Sequence, residues 1–310
     1  MTVMADRGFS SEQQAEHLPV MVEEVLEYLA PKPLETLFDG TLGLCGHSLA
    51  VAQVVGTGFR LYATDWDGTM LARAEEILKQ EGILATLWNE DYKLAAELLE
   101  ESGVQPDLIL LDLGVCSLHL DEADRGFSFQ ADAPLDMRMN RRDLEPAAAL
   151  LNRWSAIQIQ EVLSEYGGER FARRIAEEIV SRRKVQPLKT TGDLVDCVLA
   201  AVPMKFRDKR IHPATRTFQA VRIAVNHELD DLEEAIAALA RRLNEGGRMV
   251  VLSYHSGEDA PVKRAFRDLG ETGEFELLTK KPVTPTEQEK SANPRSRSAK
   301  LRAIRRRTAN

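Results

Sequence analysis

No apolar run in this chain of 310 residues approaches the roughly 18 residues that a membrane-spanning helix needs, and aromatic residues are scarce at 6%. With 44% hydrophobic and 29% charged residues the chain reads as soluble and globular. Met1 to Glu16 lacks a basic stretch leading into an apolar one, which argues against a secretory leader and predicts a flexible polar tail (residues 1–16) on a cytoplasmic protein. Cysteine is also rare. Cys45, Cys116 and Cys197 form no CxxC pair and lie away from any His cluster with zinc-ligand spacing, so neither a disulfide framework nor a metal site is indicated. An excess of positive charge is missing too: 40 basic against 49 acidic residues give a net charge of −9. The charges are unevenly spread, however. From Lys280 to Asn310 ten Lys and Arg face two Glu, so that stretch carries +8 and the remainder −17. A basic strip can release counterions from phosphates whatever the total charge, because screening confines the interaction to about one Debye length; it reads equally well as a solvated tail.

What is present is an alternation of short β-rich runs with helical ones. Thr36–Thr41, Arg60–Asp65, Ala85–Asp91 and Asp107–Asp112 are candidate strands, and residues 48–55, 69–81 and 92–102 between them have helical apolar spacing. A βαβαβαβ series implies a parallel sheet covered by helices on both faces, an α/β fold. Arg248–His255, Glu274–Lys280 and Ala299–Arg305 supply three later strands. The gap from Asp112 to Arg248 is far longer than a crossover needs, so a separate helical piece is expected at about residues 121–210, with the sheet domain formed by 17–120 and 211–310. Within the gap, Phe171, Ile175 and Ile179 repeat at helical spacing with Arg170, Arg173 and Arg174 opposite, and Thr190 opens another helix through Val202. From Phe218 to Leu243 the apolar spacing persists for seven turns, which predicts one long helix, stopped by Gly246-Gly247, returning the chain to the sheet.

The chemistry begins at Asp39-Gly40-Thr41-Leu42-Gly43-Leu44-Cys45-Gly46-His47-Ser48, which follows a strand and opens a helix. Glycines there permit a tight turn and let a ligand approach the backbone. The spacing is GxxGxxG, unlike the GxGxxG of dinucleotide loops, and no GK[ST] for a nucleoside triphosphate follows. Asp65, nineteen residues past Gly46, ends the second strand, where a carboxylate can accept both hydroxyls of a ribose. Asp91-Tyr92 can flank an adenine. Asp112 ends the fourth strand, on the side where open α/β sheets bind ligands. Each alone reads more readily as a turn residue or cap; four in order favour a nucleoside cofactor.

HLPVMVEEVLEYL, FDGTLGLCGHS, LLDLGVCSLHLDEADRGFSF, DAPLDMRM, YGGERFARRIAEEIV, HPATRTFQAVRIAVNHEL, GGRMVVLSYHSGEDAPVKR and NPRSRSAKLRA resemble the bacterial small-subunit (16S) ribosomal RNA cytosine-N4 methyltransferase family, from about His17 to Arg302. The resemblance implies a class I, Rossmann-like S-adenosylmethionine-dependent methyltransferase sheet with an inserted helical, substrate-recognising domain. It implies methylation of the exocyclic amine of a cytosine in the decoding region, on rRNA within the assembled or nearly assembled 30S subunit. It places cofactor contacts at Gly43, Cys45, Gly46, His47, Asp65, Tyr92, Asp112 and His119. Catalytic candidates are Asp112 first, then His255 and Ser253. The chain departs from the family at Cys45, where a Gly is usual; a positive φ there would cost about 1 kcal/mol and narrow the pocket. Position 119 is Gln in many relatives, 116 is commonly Ser, and SYHSGED replaces SFHSLED.

A cytosine amine is a poor nucleophile, so alignment and hydrogen-bond acceptors at the amine are needed, and no covalent intermediate is required; Cys116 follows Val115 rather than Pro, which argues against a ring-carbon mechanism. The base must leave any stack, which calls for a surface gripping RNA backbone. Candidates are Arg138, Arg216, Arg222, Lys263, Arg264 and Arg302 to Arg307; Arg216 and Arg222 read equally as partners of acidic residues in the insert. The sequence leaves the oligomeric state open, a homodimer included. The alternative function is a non-catalytic ribosome-assembly factor that retains the fold, kept open by the altered glycine loop. A protein or small-molecule methyltransferase would not need the basic regions, and a dehydrogenase would want GxGxxG.

Overall fold

A computed structural model describes residues 18–56, 58–208 and 211–308; the expected tail over residues 1–16 lies outside the described residues. In chain order the elements are α1 (Val22–Leu29), β1 (Thr36–Asp39), α2 (Gly46–Val55), β2 (Arg60–Thr64), α3 (Gly68–Gln80), β3 (Ala85–Trp88), α4 (Ala95–Glu101), β4 (Leu108–Asp112), α5 (Ser117–Asp121), α6 (Ala147–Arg153), α7 (Ala156–Glu165), α8 (Ala172–Arg183), α9 (Thr191–Ala201), α10 (Thr215–Val225), α11 (Leu232–Ala240), β5 (Arg248–Ser253), α12 (Ser256–Glu271), β6 (Phe275–Leu277), α13 (Glu287–Ala292) and β7 (Lys300–Arg306). They fall into two compact units: one runs through Leu113 and resumes at Asp231, and the other is Gly114–Asp230.

The first unit is built on one seven-stranded sheet of order β3-β2-β1-β4-β5-β7-β6. β1 to β5 run parallel, and β7 lies antiparallel to both β5 and β6. The central strands are continuous apolar runs, as a sheet covered on both faces requires: Leu108 to Leu111 of β4 are all buried. Leu37, Leu61, Leu108, Val250 and Leu301 of the sheet pack with Val25 and Leu29 of α1, Val51 and Val55 of α2, and Ala74 and Leu78 of α3. Local signals set the helix starts. The Asp67 carboxylate accepts from the Thr69 and Met70 amides at the head of α3. Where β5 begins, a Cβ on Gly247 would lie 2.8 Å from the carbonyl oxygens of Asn244 and Asp107, so only glycine lets the chain pass.

The second unit is helical. Leu151, Ile159, Leu163, Ile175, Ile179, Leu194, Val198, Phe218 and Val221 close its core, and reciprocal caps at Ser155/Gln158 and Thr190/Asp193 begin α7 and α9. The unit is wider than the expected 121–210. The reason lies in the expected long helix, which is two helices broken over Asn226–Asp231: α10 belongs to the second unit and α11 to the first. Asn226 turns its buried side chain onto backbone instead of continuing the helix, donating to the Met137 and Arg222 carbonyls and accepting from the Met139 amide. His227 and Asp231 take positive φ. Among the described residues no helix is long and apolar enough to cross a membrane.

Candidate active site

Three strand ends of the first unit are tied together by side-chain hydrogen bonds. After β1, the buried Asp39 accepts from the Ser48 hydroxyl at 2.6 Å and the Thr41 amide at 3.1 Å, closing the turn onto α2; burial pushes its carboxyl up, against the Ser48 bond. Asp65, at the end of β2, accepts from the Gly43 amide at 2.7 Å and the Asp67 amide at 2.8 Å. The Asn89 side-chain amide donates to the Asp65 carbonyl and so adds the end of β3. Asp91 caps the short turn Tyr92–Leu94 through the Lys93 amide, and burial raises its carboxyl.

The glycines of the turn answer to protein packing. A Cβ on Gly40 would meet Leu111 at 2.4 Å and the Cβ of Tyr92 at 3.1 Å, and one on Gly46 would meet Pro19 at 3.0 Å. Gly43 and Cys45 have φ of 51° and 57°. Cys45 thus occupies the left-handed conformation that would make a side chain costly. It does not narrow a pocket, because its side chain is fully buried in the core with Leu42 and Leu49. Burial pushes its thiol up to about 12, so it is no nucleophile.

Asp112 is the centre of the site. Its amide donates to the Thr41 hydroxyl at 2.6 Å, its Oδ1 accepts from the Tyr254 hydroxyl at 2.7 Å, and its Oδ2 lies 3.8 Å from His47 Nδ1. His47 Nε2 is 2.8 Å from the Val20 carbonyl, an acceptor only, so Nε2 carries the hydrogen. Burial raises the Asp112 carboxyl, with His47 and Tyr254 opposing and Glu258 adding to the rise. A quarter of the side-chain surface still meets solvent, which moderates the effect. The same surroundings push the Tyr254 phenol well above its ordinary value, burial first and the Asp112 charge second, so it stays a donor.

Of the residues expected at the site, Gly43 and Cys45 stand on the turn after β1, Gly46 and His47 open α2, Asp65 follows β2, Tyr92 lies on the turn beyond β3, and Asp112 ends β4. His119 lies in the second unit on α5, buried and stacked on Phe127 with ring centroids 5.0 Å apart. Ser253 and His255, the other catalytic candidates, both make contacts within the fold. Ser253 is buried and donates to the Lys300 carbonyl across to β7 at 3.4 Å. His255 caps α12, its Nδ1 accepting from the Glu258 amide at 3.3 Å, while the buried Glu258 carboxylate accepts from the Tyr254 amide at 2.7 Å. His255 Nε2 sits 3.2 Å from Glu258 Oε1, outside hydrogen-bond geometry. The residue between them, Tyr254, reaches Asp112 and was missed. Its signal was the Tyr of SYHSGED in place of Phe.

Seven of the expected RNA contacts make bonds within the protein. Arg138 makes two bonds to Asp136 and donates to the Arg141 and Leu144 carbonyls. Arg222 makes a two-pronged pair with Glu228 at 2.9 and 2.7 Å, Arg264 pairs with Glu233, and the buried Arg302 binds Asp259 at 2.7 Å. Four more cations of the C-terminal basic strip are held likewise: Lys300 on Asp259, Arg305 on Glu276, Arg306 on the Arg241 and Leu243 carbonyls, and Arg307 on the Phe275 carbonyl. Arg216 and Lys263 are exposed, and Arg216 makes only a long 3.5 Å contact to the Gly168 carbonyl.

A parallel sheet closed by one reversed strand in this order, with acidic groups at the ends of β2, β3 and β4, defines a class I methyltransferase that uses S-adenosylmethionine. The chain belongs to the MraW methylase family, whose model matches residues 14–307. It is 44% identical over 304 residues to the ribosomal RNA small subunit methyltransferase H of Heliobacterium modesticaldum, covering 93% of this chain and 97% of the relative. It is 45% identical over 305 residues to the protein of that name from Koribacter versatilis, covering 96% of each.

Proposed function

We propose that this chain transfers the methyl group of S-adenosylmethionine to the exocyclic N4 amine of a cytosine in the decoding region of small-subunit rRNA, acting in the cytoplasm on the assembled or nearly assembled subunit. Asp112 carries this reading: a carboxylate at the end of β4, raised by burial and fixed by Tyr254 and Thr41. The residues present fit the cofactor. Asp65 presents a carboxylate suited to a ribose diol, the turn from Gly43 to Gly46 opens α2, and Tyr92 stands at the end of β3. S-adenosylmethionine supplies an electrophilic methyl on a sulfonium, so the protein need provide no covalent catalysis.

What the protein supplies is alignment and a proton acceptor. The amine lone pair is delocalised into the cytosine ring, and it becomes available only as the N–H bonds polarise. A fixed carboxylate more basic than usual accepts a hydrogen bond from the amine that strengthens as positive charge grows on nitrogen. The N–C bond forms as the S–C bond breaks, and the surplus proton leaves through Asp112 to water. Tyr254 keeps the second carboxylate oxygen occupied, so Asp112 presents one orientation. Labelled methyl transfer to small subunits lacking the modification, followed by nucleoside analysis, tests the assignment: label in N4-methylcytidine is expected, and label in another nucleoside overturns the acceptor.

A further inference from the structure

The acidity of this chain is confined to its first unit. Gly114–Asp230 holds eighteen Lys and Arg against seventeen Asp and Glu, a net of +1, while the rest carries −10. Between Arg170 and Ile211 eleven cationic residues face five acidic ones. Here α9 ends, and the chain makes a short turn, Met204–Phe206, that exposes apolar side chains: Met204 is 80% exposed and Phe206 45%. The Phe206 ring packs on Phe171 with centroids 5.5 Å apart. Both the Arg170 guanidinium and the Lys205 ammonium lie 5.0 Å from the centre of the Phe206 ring, and Arg170 is 5.6 Å from that of Phe171. Neither cation has a carboxylate partner among the described residues.

From this juxtaposition we infer that the Arg170–Phe171–Lys205–Phe206 face of the second unit docks a single-stranded stretch of the RNA substrate, the two cations meeting phosphates and the Phe206 edge and its Met204 neighbour receiving a base. Exposed aromatic rings interleaved with unpaired cations are what single strands require, since every base has a stacking face and every nucleotide a charge. A protein partner of this acidic molecule would have no comparable reason to meet cations held over rings. The face uses none of the contacts expected at Arg138, Arg222 and Arg302, which already bind groups of the protein, and the inference rests on the rRNA reading above.

The test compares the wild type with Arg170→Gln/Lys205→Gln, whose exposed charges are not needed for packing, and with Phe206→Ala. The probes are a single-stranded oligoribonucleotide from the decoding region and unmodified small subunits. The double variant is expected to flatten the log–log salt dependence of oligonucleotide binding by about 1.4, two contacts at about 0.7 each. Phe206→Ala is expected to weaken binding by about 5-fold, the low end for a base–aromatic contact, because only the ring edge is offered. Both should raise KM for subunits while kcat and cofactor affinity stay at wild-type values. Unchanged oligonucleotide affinity and salt slope in the double variant overturn the inference. So does a variant that binds oligonucleotide normally but loses subunits, which would assign the face to a ribosomal protein, or one that only dissociates a wild-type dimer. If the wild type binds the oligonucleotide through this face but methylates no subunits, the reading of function fails and the docking face stands.

Discussion

Asp112 and Tyr254 form a pair in which each depends on the other's protonation state. The Tyr254 hydrogen bond favours the ionised carboxylate, opposing the burial that disfavours it. Asp112 works as an acceptor, so activity falls as pH drops through its pKa. Tyr254→Phe removes a term that lowers that pKa, and the acid limb of the kcat profile is therefore expected to move to higher pH, with activity largely recovered on the alkaline side. A uniform loss at every pH would make Tyr254 only a packing residue. Cys45 gives a second test at this scale. Its φ of 57° favours glycine, while its buried side chain fills core. Cys45→Ala keeps the backbone cost and loses the sulfur, whereas Cys45→Gly relieves it. Denaturant unfolding should therefore find the Gly variant more stable than the Ala variant by about 1 kcal/mol, the reverse of an ordinary helix or core position.

At the scale of elements, α12 and β7 are joined by Asp259, which binds Arg302 and Lys300. Burial works against its ionisation, but the bonds from Arg302 and Lys300 prevail and hold its carboxyl below the usual range. A depressed folded pKa contributes stability above the unfolded value of about 3.9 and loses it as pH falls through the folded one. Asp259→Asn should thus cost about 2 kcal/mol near neutrality, and the gap to wild type should close below about pH 4. A gap independent of pH would mean that the charge is irrelevant. The strands were legible because most are short apolar runs between turn residues: six fall within the runs read from sequence, and β7 runs one residue past its own, to Arg306. α12 was hidden by Pro261, which sits inside it among the buried Val262, Ala265, Phe266 and Leu269. The break at Asn226–Asp231 was invisible to apolar spacing because Leu229 continues the pattern through a turn. Only the side-chain bonds of Asn226, made to residues more than eighty positions away, end α10 there.

For the whole molecule, the sheet decides what many of the charges meet. Of the ten cations behind the C-terminal excess of +8, the four on β7, which lies between β5 and β6, bind Asp259, Glu276 and carbonyl oxygens. Strand ends, where the cofactor contacts are expected, were legible because they can be counted along the chain. Contacts such as Tyr254 to Asp112, 142 positions apart, depend on β4 and β5 being neighbours, which no local pattern states. The central claim, that this site methylates a cytosine amine of small-subunit rRNA through Asp112, is tested most directly by one comparison. Wild type and Asp112→Ala are incubated with labelled S-adenosylmethionine and unmodified small subunits, and the digested RNA is resolved into nucleosides. The account predicts label in N4-methylcytidine for the wild type and a loss of turnover by orders of magnitude for the folded variant. Near-normal transfer by Asp112→Ala would contradict it.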